Sequence, residues 1–372
     1  MSDELPKAYD PKTVEDRWYA LWENEKYFKP RKGKTGKAYS IIMPPPNVTG
    51  RLHAGHALDV TTQDTLTRYK RMKGFETLWL PGMDHAGIST QNVVEKMIWE
   101  TEKKTRHDYK REDFVKKVWE WKEEYGGIIA RQQRSMGASC DWEYATFTMD
   151  EEANQAVRKA FVTLYNEGLI YQSDYIINWD PVLKSAISDA EVEHIDVQGA
   201  YYHIFYKVLG EDEKLEIATT RPETLLGDTA VCVHPEDERY QKFIGKTAVV
   251  PLCNREVPII ADEYVDKEKG TGCLKVTPGH DFNDFDIGRR HDLKIIKILN
   301  SDATLNEYGL EFQGMPVKEG RKAVVKKLEE QGILGDIKKV THPVGHGDRS
   351  HAVVEPMVSK QWFVKMDDLA KD

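Results

Sequence analysis

The sequence has few cysteines and no long apolar segment, and these absences exclude several classes of protein. Its four cysteines lie 92, 21 and 20 positions apart in 372 residues, which fits neither a disulfide framework nor a C-x-x-C metal site. No stretch approaches the roughly 18 apolar residues of a membrane span, and the N-terminus lacks the apolar segment of a secretory signal. These absences predict a cytoplasmic protein with reduced thiols and no membrane association.

The chain also lacks an excess of positive charge. Its 53 Lys and Arg residues stand against 62 Asp and Glu residues, a net charge of −9, which argues against a surface that binds nucleic acid indiscriminately. A local basic face is still compatible with this balance. With 40% hydrophobic and 31% charged residues, the composition is typical of a folded globular protein. The length predicts two or three domains, since a domain usually spans about 100–200 residues.

The first half of the chain alternates between strand and helix patterns. Short, largely apolar runs that end at proline predict strands at 38–43 and 76–80. Helices are predicted at 11–28, 52–74, from about 89 onward, 106–140 and 150–168. This alternation predicts a parallel sheet with crossover helices, and ligands in such folds bind at the carboxyl ends of the strands. The loops at 44–56 and 81–88 both fall there.

The pattern changes after about Glu193, where short strand-like runs are separated by Gly, Pro and charged residues. We predict three segments, with bounds 1–193, 194–346 and 347–372, the last returning to the first domain. The predicted fold class is α/β. It consists of the first half of a doubly wound, Rossmann-like parallel sheet, interrupted by a β-rich, barrel-like domain.

The loop after the first strand reads Pro-Pro-Pro-Asn-Val-Thr-Gly-Arg-Leu-His-Ala-Gly-His at 44–56. His53 and His56 lie three positions apart at a predicted helix N-terminus, where free N–H groups and positive potential favour anions. Gly55 permits the close approach of a flat ring or a phosphate. The pattern indicates a nucleoside triphosphate site, although the short H-x-G-H sequence by itself is also compatible with helix capping.

This run resembles the first signature of the class I aminoacyl-tRNA synthetases, in the form typical of the valine enzymes. The second loop, Pro-Gly-Met-Asp-His-Ala-Gly-Ile at 81–88, again resembles the valine form, whereas the sister enzymes usually carry Gly-Trp-Asp there. The resemblance implies activation of L-valine by ATP with Mg²⁺, followed by transfer to tRNA(Val). It implies that His53, Gly55 and His56 bind ATP and that the two histidines stabilise charge on the α-phosphate.

The same resemblance assigns residues to the valine pocket. Pro45, Asn47 and Asp84 match positions that line it, and Asp84 would pair with the α-ammonium group of valine. For Asp84, a turn-forming role after Pro-Gly is the alternative interpretation.

Two segments of the β-rich part, 218–230 and 270–285, resemble the editing insertion shared by the valine, isoleucine and leucine enzymes. Without that context, the threonines and the arginine of the first segment would be interpreted as a polar strand edge. The resemblance implies hydrolysis of threonine attached wrongly to tRNA(Val). A hydrophobic pocket cannot strongly reject threonine, a near isostere of valine, and the valine enzymes are the standard example of this limit.

Asp284 matches the carboxylate that holds the ammonium group of the misattached amino acid, and Asp281 is expected to place the scissile ester or its water. His280 is open between a pocket wall and a simple turn residue. The other residues expected in the editing pocket are Thr219, Thr220, Arg221, Thr224, Lys275 and Thr277.

The sequence departs from the family pattern where relatives begin a zinc knuckle. Relatives often carry Trp-Cys-Pro, but residues 178–181 read Asn-Trp-Asp-Pro with no cysteine nearby, so no zinc is predicted. The later histidines His342, His346 and His351 are interpreted as solvated loop residues rather than metal ligands.

The family's second nucleotide signature, Lys-Met-Ser-Lys-Ser, is absent, and the Met-Val-Ser-Lys run at 357–360 is only a superficial echo of it. The chain is therefore interpreted as the N-terminal part of such an enzyme. We expect a monomer that does not aminoacylate alone but whose editing activity survives. Three alternatives remain open: a sister isoleucine or leucine enzyme, a free-standing aminoacyl-tRNA editing hydrolase, and a non-enzymatic tRNA-binding module.

Overall fold

The computed structural model describes residues 8, 10–11, 14–31 and 35–371. The chain forms two compact units, one ending at Gly168 and the other beginning at Leu169. Both combine helices and strands, which confirms the predicted α/β class. Within the described ranges, every helix is too short or too polar to cross a membrane. The predicted division at 193/194 and 346/347 stays a prediction.

The first unit consists of helices and two short pairs of parallel strands. Its elements are α1 (Glu15–Asn24), β1 (Ala38–Ile42), α2 (Ala54–Met72), β2 (Glu76–Leu80), β3 (Gly82–Met83), α3 (Ile88–Glu102), α4 (Arg111–Ser135), β4 (Thr146–Phe147) and α5 (Glu151–Asn166). Strands β1 and β2 pair in parallel with α2 as their crossover, as the sequence predicts. The long helix predicted at 106–140 is shorter, because a separate 3-10 turn precedes α4 and Gly137, with φ +78°, follows it.

The core of the first unit lies between β1, β2 and the segment after α4. Trp79 is fully buried there and packs with Met43, Val60 and Cys140. The apolar side chains of helix α2 are less buried than their spacing in the sequence predicts. Its apolar side chains other than Val60 remain largely exposed, namely Leu58, Leu66, Tyr69 and Met72.

The second unit is rich in strands. Its elements are β5 (Ile170–Asp180), β6 (Ser185–Ile187), β7 (Val192–Val208), β8 (Lys214–Thr219), β9 (Ala230–Val233), β10 (Thr247–Val250), β11 (Arg255–Ala261), β12 (Cys273–Val276), α6 (Phe282–Arg290), α7 (Val317–Glu330), β13 (Leu334–Gly347), β14 (Glu355–Val364) and α8 (Met366–Leu369). The main sheet has the order β12-β9-β11-β10-β7-β13, with β8 also paired to β7. Because β12 in turn lies against β8, the sheet curls into a nearly closed barrel.

The predicted bounds of the β-rich segment fall on one antiparallel ladder. Strands β7 and β13 pair from Ile204 opposite Leu334 to Val192 opposite Gly347, and Glu193 lies opposite His346. The chain therefore enters and leaves the barrel side by side. His342 and His346 lie on β13, so the prediction that they are loop residues is wrong for these two.

A second ladder, not predicted from the sequence, joins β5 to β14 over ten residue pairs, from Ile170 opposite Val364 to Trp179 opposite Glu355. This β5–β14 ribbon packs against α6, where Ile176 and Val358 form a small buried cluster with Phe285. The region around 351–366 thus contains one continuous ten-residue strand rather than several short ones.

Candidate functional site

The first site loop connects β1 to α2 in the first unit. His53 is the N-cap of α2, and its Nδ1 accepts a hydrogen bond from the Gly55 N–H at 3.1 Å. The His53 N–H in turn donates to Nδ1 of His56 at 3.3 Å, and the two ring centroids lie 3.9 Å apart. A Cβ at Gly55 would lie 3.0 Å from the His53 ring, so the glycine makes room for this imidazole.

These bonds fix the tautomers of both histidines. A backbone N–H can only donate, so Nδ1 of each neutral ring is the acceptor and the proton sits on Nε2. Burial, followed by the repulsion that a protonated His53 would exert, lowers the pKa of His56 and favours its neutral form. The start of α2 therefore presents two neutral Nε2–H donors beside a helix N-terminus.

The second loop is joined directly to the first. The Val48 N–H donates to the Asp84 carbonyl and the Asp84 N–H donates to the Pro46 carbonyl, both at 3.0 Å. The Asp84 carboxylate accepts at Oδ1 from the Ala86 N–H at 3.0 Å and from the Thr148 hydroxyl at 3.1 Å. The structure thus pairs Asn47 with Asp84 in a β-bridge and gives Asp84 the turn role of the alternative interpretation. Their role in a valine pocket stays a prediction.

The first unit also contains a large cavity of about 850 Å³ next to the second loop. Val48 and His85 line it, together with aromatic side chains of α4 and β4 that include Trp119 and Phe147. The three residues expected in the valine pocket are close in sequence to Val48 and His85, but they do not line the cavity themselves. Pro45 and Asn47 are exposed and Asp84 is half-buried.

A small pocket of about 160 Å³ lies in the second unit, between β8, β12 and the start of α6. Seven of the eight residues expected in an editing pocket line it: Thr219, Thr220, Arg221, Thr224, Lys275, Asp281 and Asp284. Thr277 is buried in the wall behind, where its hydroxyl donates to Asp228 at 2.5 Å. Tyr264 and Asn283 line the pocket as well and were not anticipated.

Two carboxylates stand at the N-terminus of α6. Asp281 is exposed and caps the helix, with Oδ1 accepting from the N–H groups of Asn283 at 2.9 Å and Asp284 at 3.1 Å. Asp284 is only 5% exposed and accepts the Thr277 N–H at 2.8 Å. Burial, reinforced by the negative charge of Asp281, raises the pKa of Asp284 to about 7. A cation bound in the pocket would therefore stabilise the ionised form of Asp284, which burial disfavours.

Behind the pocket lies a buried polar network centred on Asp228. Its carboxylate accepts from the Tyr206 hydroxyl at 2.6 Å, from Thr277, and from Lys275 Nζ at 3.3 Å. Burial raises the pKa of Asp228, although these three partners each lower it. The network holds Lys275, which is 6% exposed, at the pocket wall. Sequence reasoning passed over Asp228, although it lies in the same quoted segment as Arg221.

Arg221 belongs to a second buried group, which we call the Arg221 cluster and which consists of Arg221, Glu223, Arg321 and Glu355. Arg221 donates to Glu223 at 3.3 Å, to Glu355, and to the carbonyl of His280 at 3.1 Å. Arg321 completes the cluster with two hydrogen bonds of 2.8 Å to Glu223. Burial by itself would lower the pKa of Arg221. The attraction of the Glu355 and Glu223 carboxylates is stronger, so the pKa of Arg221 is raised.

His280 lines the small pocket but is occupied by backbone contacts. Its Nε2 accepts the Ile298 N–H at 2.8 Å, so the neutral ring carries its proton on Nδ1, which donates to the Pro356 carbonyl at 3.2 Å. Burial lowers the pKa of His280 to about 3. The residue that sequence analysis left open is thus a neutral bridge that has no free nitrogen to act as a base.

Within the residues that the structure describes, no group of three or more His, Cys, Asp or Glu side chains is arranged to hold a metal ion. The Asp180 carboxylate, where relatives often carry the cysteine of a zinc knuckle, instead accepts the N–H groups of Val182 and Leu183, each at 2.9 Å. It shapes the turn that follows β5.

The sequence is similar to tRNA synthetases along nearly its whole length. The family described as "tRNA synthetases class I (I, L, M and V)" matches residues 17–372. The valine–tRNA ligase of Halalkalibacterium halodurans is 55% identical over 368 residues, which cover 99% of this chain and 42% of that protein. The valine–tRNA ligase of Bacillus subtilis is 54% identical over 366 residues, covering 98% of this chain and 42% of that protein. The chain thus spans about two fifths of the length of these relatives.

Among solved structures, the ternary complex of Agrobacterium radiobacter K84 agnB2 LeuRS with tRNA and LeuAMS is similar with a TM-score of 0.45 and 19% sequence identity. The match covers 94% of this chain and 49% of that chain.

Proposed function

Because this chain belongs to the class I tRNA synthetases of the isoleucine, leucine, methionine and valine group, we propose that it supplies part of a valine–tRNA ligase. That enzyme would activate L-valine with ATP, transfer valine to tRNA(Val), and hydrolyse threonine attached to tRNA(Val) by mistake. Five relatives at 53–55% identity are valine–tRNA ligases, which supports valine over isoleucine or leucine. We expect a monomer that acts in the cytoplasm.

In the activation step, His53 and His56 would bind the phosphates of ATP, whose Mg²⁺ would enter with the nucleotide. Their Nε2–H groups are donors without a net charge, placed at the positive end of α2. Donors of this kind stabilise charge that develops on the α-phosphate as the carboxylate of valine attacks and pyrophosphate leaves. Asp84 would pair with the α-ammonium group of valine, and Pro45 and Asn47 would border it.

In the editing step, Asp284 would hold the ammonium group of threonine in the small pocket. Water adds to the ester carbonyl, the ribose hydroxyl of the terminal adenosine leaves, and threonine and free tRNA(Val) are released. The exposed Asp281 would orient the ester or the attacking water. Arg221 and Lys275 line the pocket and would offer N–H donors to the tRNA terminus.

One observation carries the editing proposal: Asp284 is a buried carboxylate that faces the small pocket without a side-chain cation bonded to it in the described chain. Such a group costs stability unless a ligand supplies the cation. An amino-acid ester carries this cation as its ammonium group. The same observation disfavours a non-enzymatic tRNA-binding module, which has no use for a carboxylate at this position.

The experiment is hydrolysis of separately prepared Thr-tRNA(Val) and Val-tRNA(Val) by the full 372-residue chain and its Asp284→Ala variant. We expect selective loss of threonine, slowed about 100-fold by the substitution because a buried charge contact is removed. Asp286→Ala, an exposed carboxylate on the same helix, is the matched control and should hydrolyse at the rate of the unchanged chain. Equal rates for Asp284→Ala and the unchanged chain would overturn the proposal.

A further inference from the structure

The small pocket is not built by the predicted 194–346 segment alone. Two of its lining residues, Arg221 and His280, are bonded to consecutive residues of β14, Glu355 and Pro356. A third contact joins the Val358 N–H to the carbonyl of Gly279 at 3.3 Å. These contacts place the strand that follows the barrel directly against the pocket floor.

We propose that Glu355 is a positioning residue for the editing reaction and acts through Arg221. This inference rests on the proposed editing function, and it adds a residue outside the segment whose sequence resembles the editing insertion. The side chain of Arg221 is 25% exposed and lines the pocket, whereas the side chain of Glu355 is only 7% exposed and does not line it. Glu355 therefore contacts Arg221 without lining the pocket itself.

Charge balance in the Arg221 cluster explains why a carboxylate is needed at 355. The two arginines face two carboxylates, Glu223 and Glu355, so the buried group is neutral as a whole. Both oxygens of Glu223 are already engaged by the fork of Arg321. Glu355 is thus the carboxylate that holds Nη2 of Arg221, while the His280 carbonyl accepts from Nη1. A bound carboxylate limits the rotamers of a long side chain.

The β5–β14 ribbon makes this contact stiff. Val358 packs with Ile176 and with Phe285 of α6, and the Phe285 ring also meets the Tyr175 ring edge-on with centroids 5.1 Å apart. The helix that carries Asp284 and the strand that carries Glu355 are therefore packed on each other. The ribbon thus supports both Arg221, through Glu355, and the helix that carries Asp284, through Phe285.

The test compares Glu355→Gln and Glu355→Ala with the unchanged full chain in the hydrolysis of Thr-tRNA(Val). Because Arg221 is expected to contact the tRNA terminus, a mobile Arg221 should raise KM about tenfold in Glu355→Ala and leave kcat within about twofold. Glu355→Gln keeps an acceptor oxygen and should raise KM by less. This graded rescue is not expected if the residue only supports the fold.

Met357→Ala is the matched control, since Met357 is buried in the barrel core on the same strand and, unlike Glu355, its apolar side chain does not bond the Arg221 guanidinium. It should lower the melting temperature at least as much as Glu355→Ala and leave KM unchanged. If the KM of the Glu355 variants equals that of the unchanged chain, or if Met357→Ala raises KM equally, the positioning role is overturned while the editing proposal stands.

A second readout separates the two proposals without hydrolysis. Binding of 3′-threonylamino-3′-deoxyadenosine, in which an amide replaces the ester, is measured by calorimetry for the same variants. Weaker binding by the Glu355 variants, with normal binding by Met357→Ala, supports the positioning role even if the chain needs more of the tRNA for turnover. A full chain that neither binds this compound nor hydrolyses Thr-tRNA(Val) overturns both the editing proposal and the role of Glu355.

Discussion

Polar groups find their hydrogen-bond partners differently in two places: the loop that carries His53 and His56, and the pocket that holds Asp284. In the loop, each histidine accepts a backbone N–H, and the residues around it are exposed or half-buried. In the pocket, Lys275 and Asp284 are at least nine-tenths buried, and Lys275 is bonded to other buried side chains. Water can replace a lost partner in the loop, but not behind the pocket wall.

This difference teaches how function and stability are linked in the two places. Substitutions in the loop should affect ligand binding with little effect on folding, because solvent compensates each lost hydrogen bond. Substitutions in the pocket network should affect both, because they leave a charge or a polar atom buried without a partner. Four further predictions test this contrast, in order of decreasing effect.

The largest effect is expected for Lys275→Met. The substitution leaves the Asp228 carboxylate buried without its cation, which should cost about 3 kcal/mol of unfolding free energy. For a domain of this size, that corresponds to a fall of roughly 6–12 °C in melting temperature, measured by differential scanning calorimetry. Adding Asp228→Asn to this variant should recover part of the loss. A Lys275→Met variant that melts like the unchanged chain would show that the network does not depend on charge.

The second prediction concerns pH. Since the pKa of Asp284 is raised to about 7, its ionised fraction, and with it the hydrolysis of Thr-tRNA(Val), should rise about tenfold between pH 6 and pH 8 after subtraction of the spontaneous rate. Stability changes with pH in the opposite direction to the hydrolysis rate. A raised pKa in the folded state contributes stability below the ordinary pKa of an aspartate, and this contribution is lost as pH rises through about 7.

Asp281→Asn sharpens the pH prediction. Asparagine still caps α6, but the negative charge beside Asp284 is gone, so the midpoint of the rate profile should move to lower pH by a few tenths of a unit up to about one unit. Burial remains the larger cause of the shift, and the midpoint should therefore stay above the range of an exposed aspartate. An unchanged midpoint would contradict the assignment of the profile to Asp284.

The smallest effect on stability is expected for His53→Asn in the loop. Asparagine is a good N-cap, so the melting temperature should stay within about 2 °C of that of the unchanged chain. His53→Ala, which removes the cap, should cost about 1 kcal/mol. If either variant destabilises the chain as strongly as Lys275→Met, the contrast between the exposed loop and the buried network is wrong.

The sequence alone predicted the parallel pair β1 and β2, the crossover helix between them and the β-rich, barrel-like character of the segment after Glu193. These elements follow from local apolar periodicity and from the prolines and glycines that end it. It also named seven of the residues that line the small pocket, because they lie in two short segments that each resemble a family motif. Asn283 lies in the second segment but carried no role there.

Only the tertiary structure revealed the supports of that pocket. Glu355 lies 134 positions from Arg221, and Tyr206 lies 22 positions from Asp228, so no local pattern connects either pair. The β5–β14 ribbon was missed for the same reason, since its two strands are brought together only by long-range pairing. Local sequence thus determined which side chains line the small pocket, because their backbone geometry is local. Packing decided which buried groups hold those side chains in place, because charge balance in a low-dielectric interior depends on every segment that meets there.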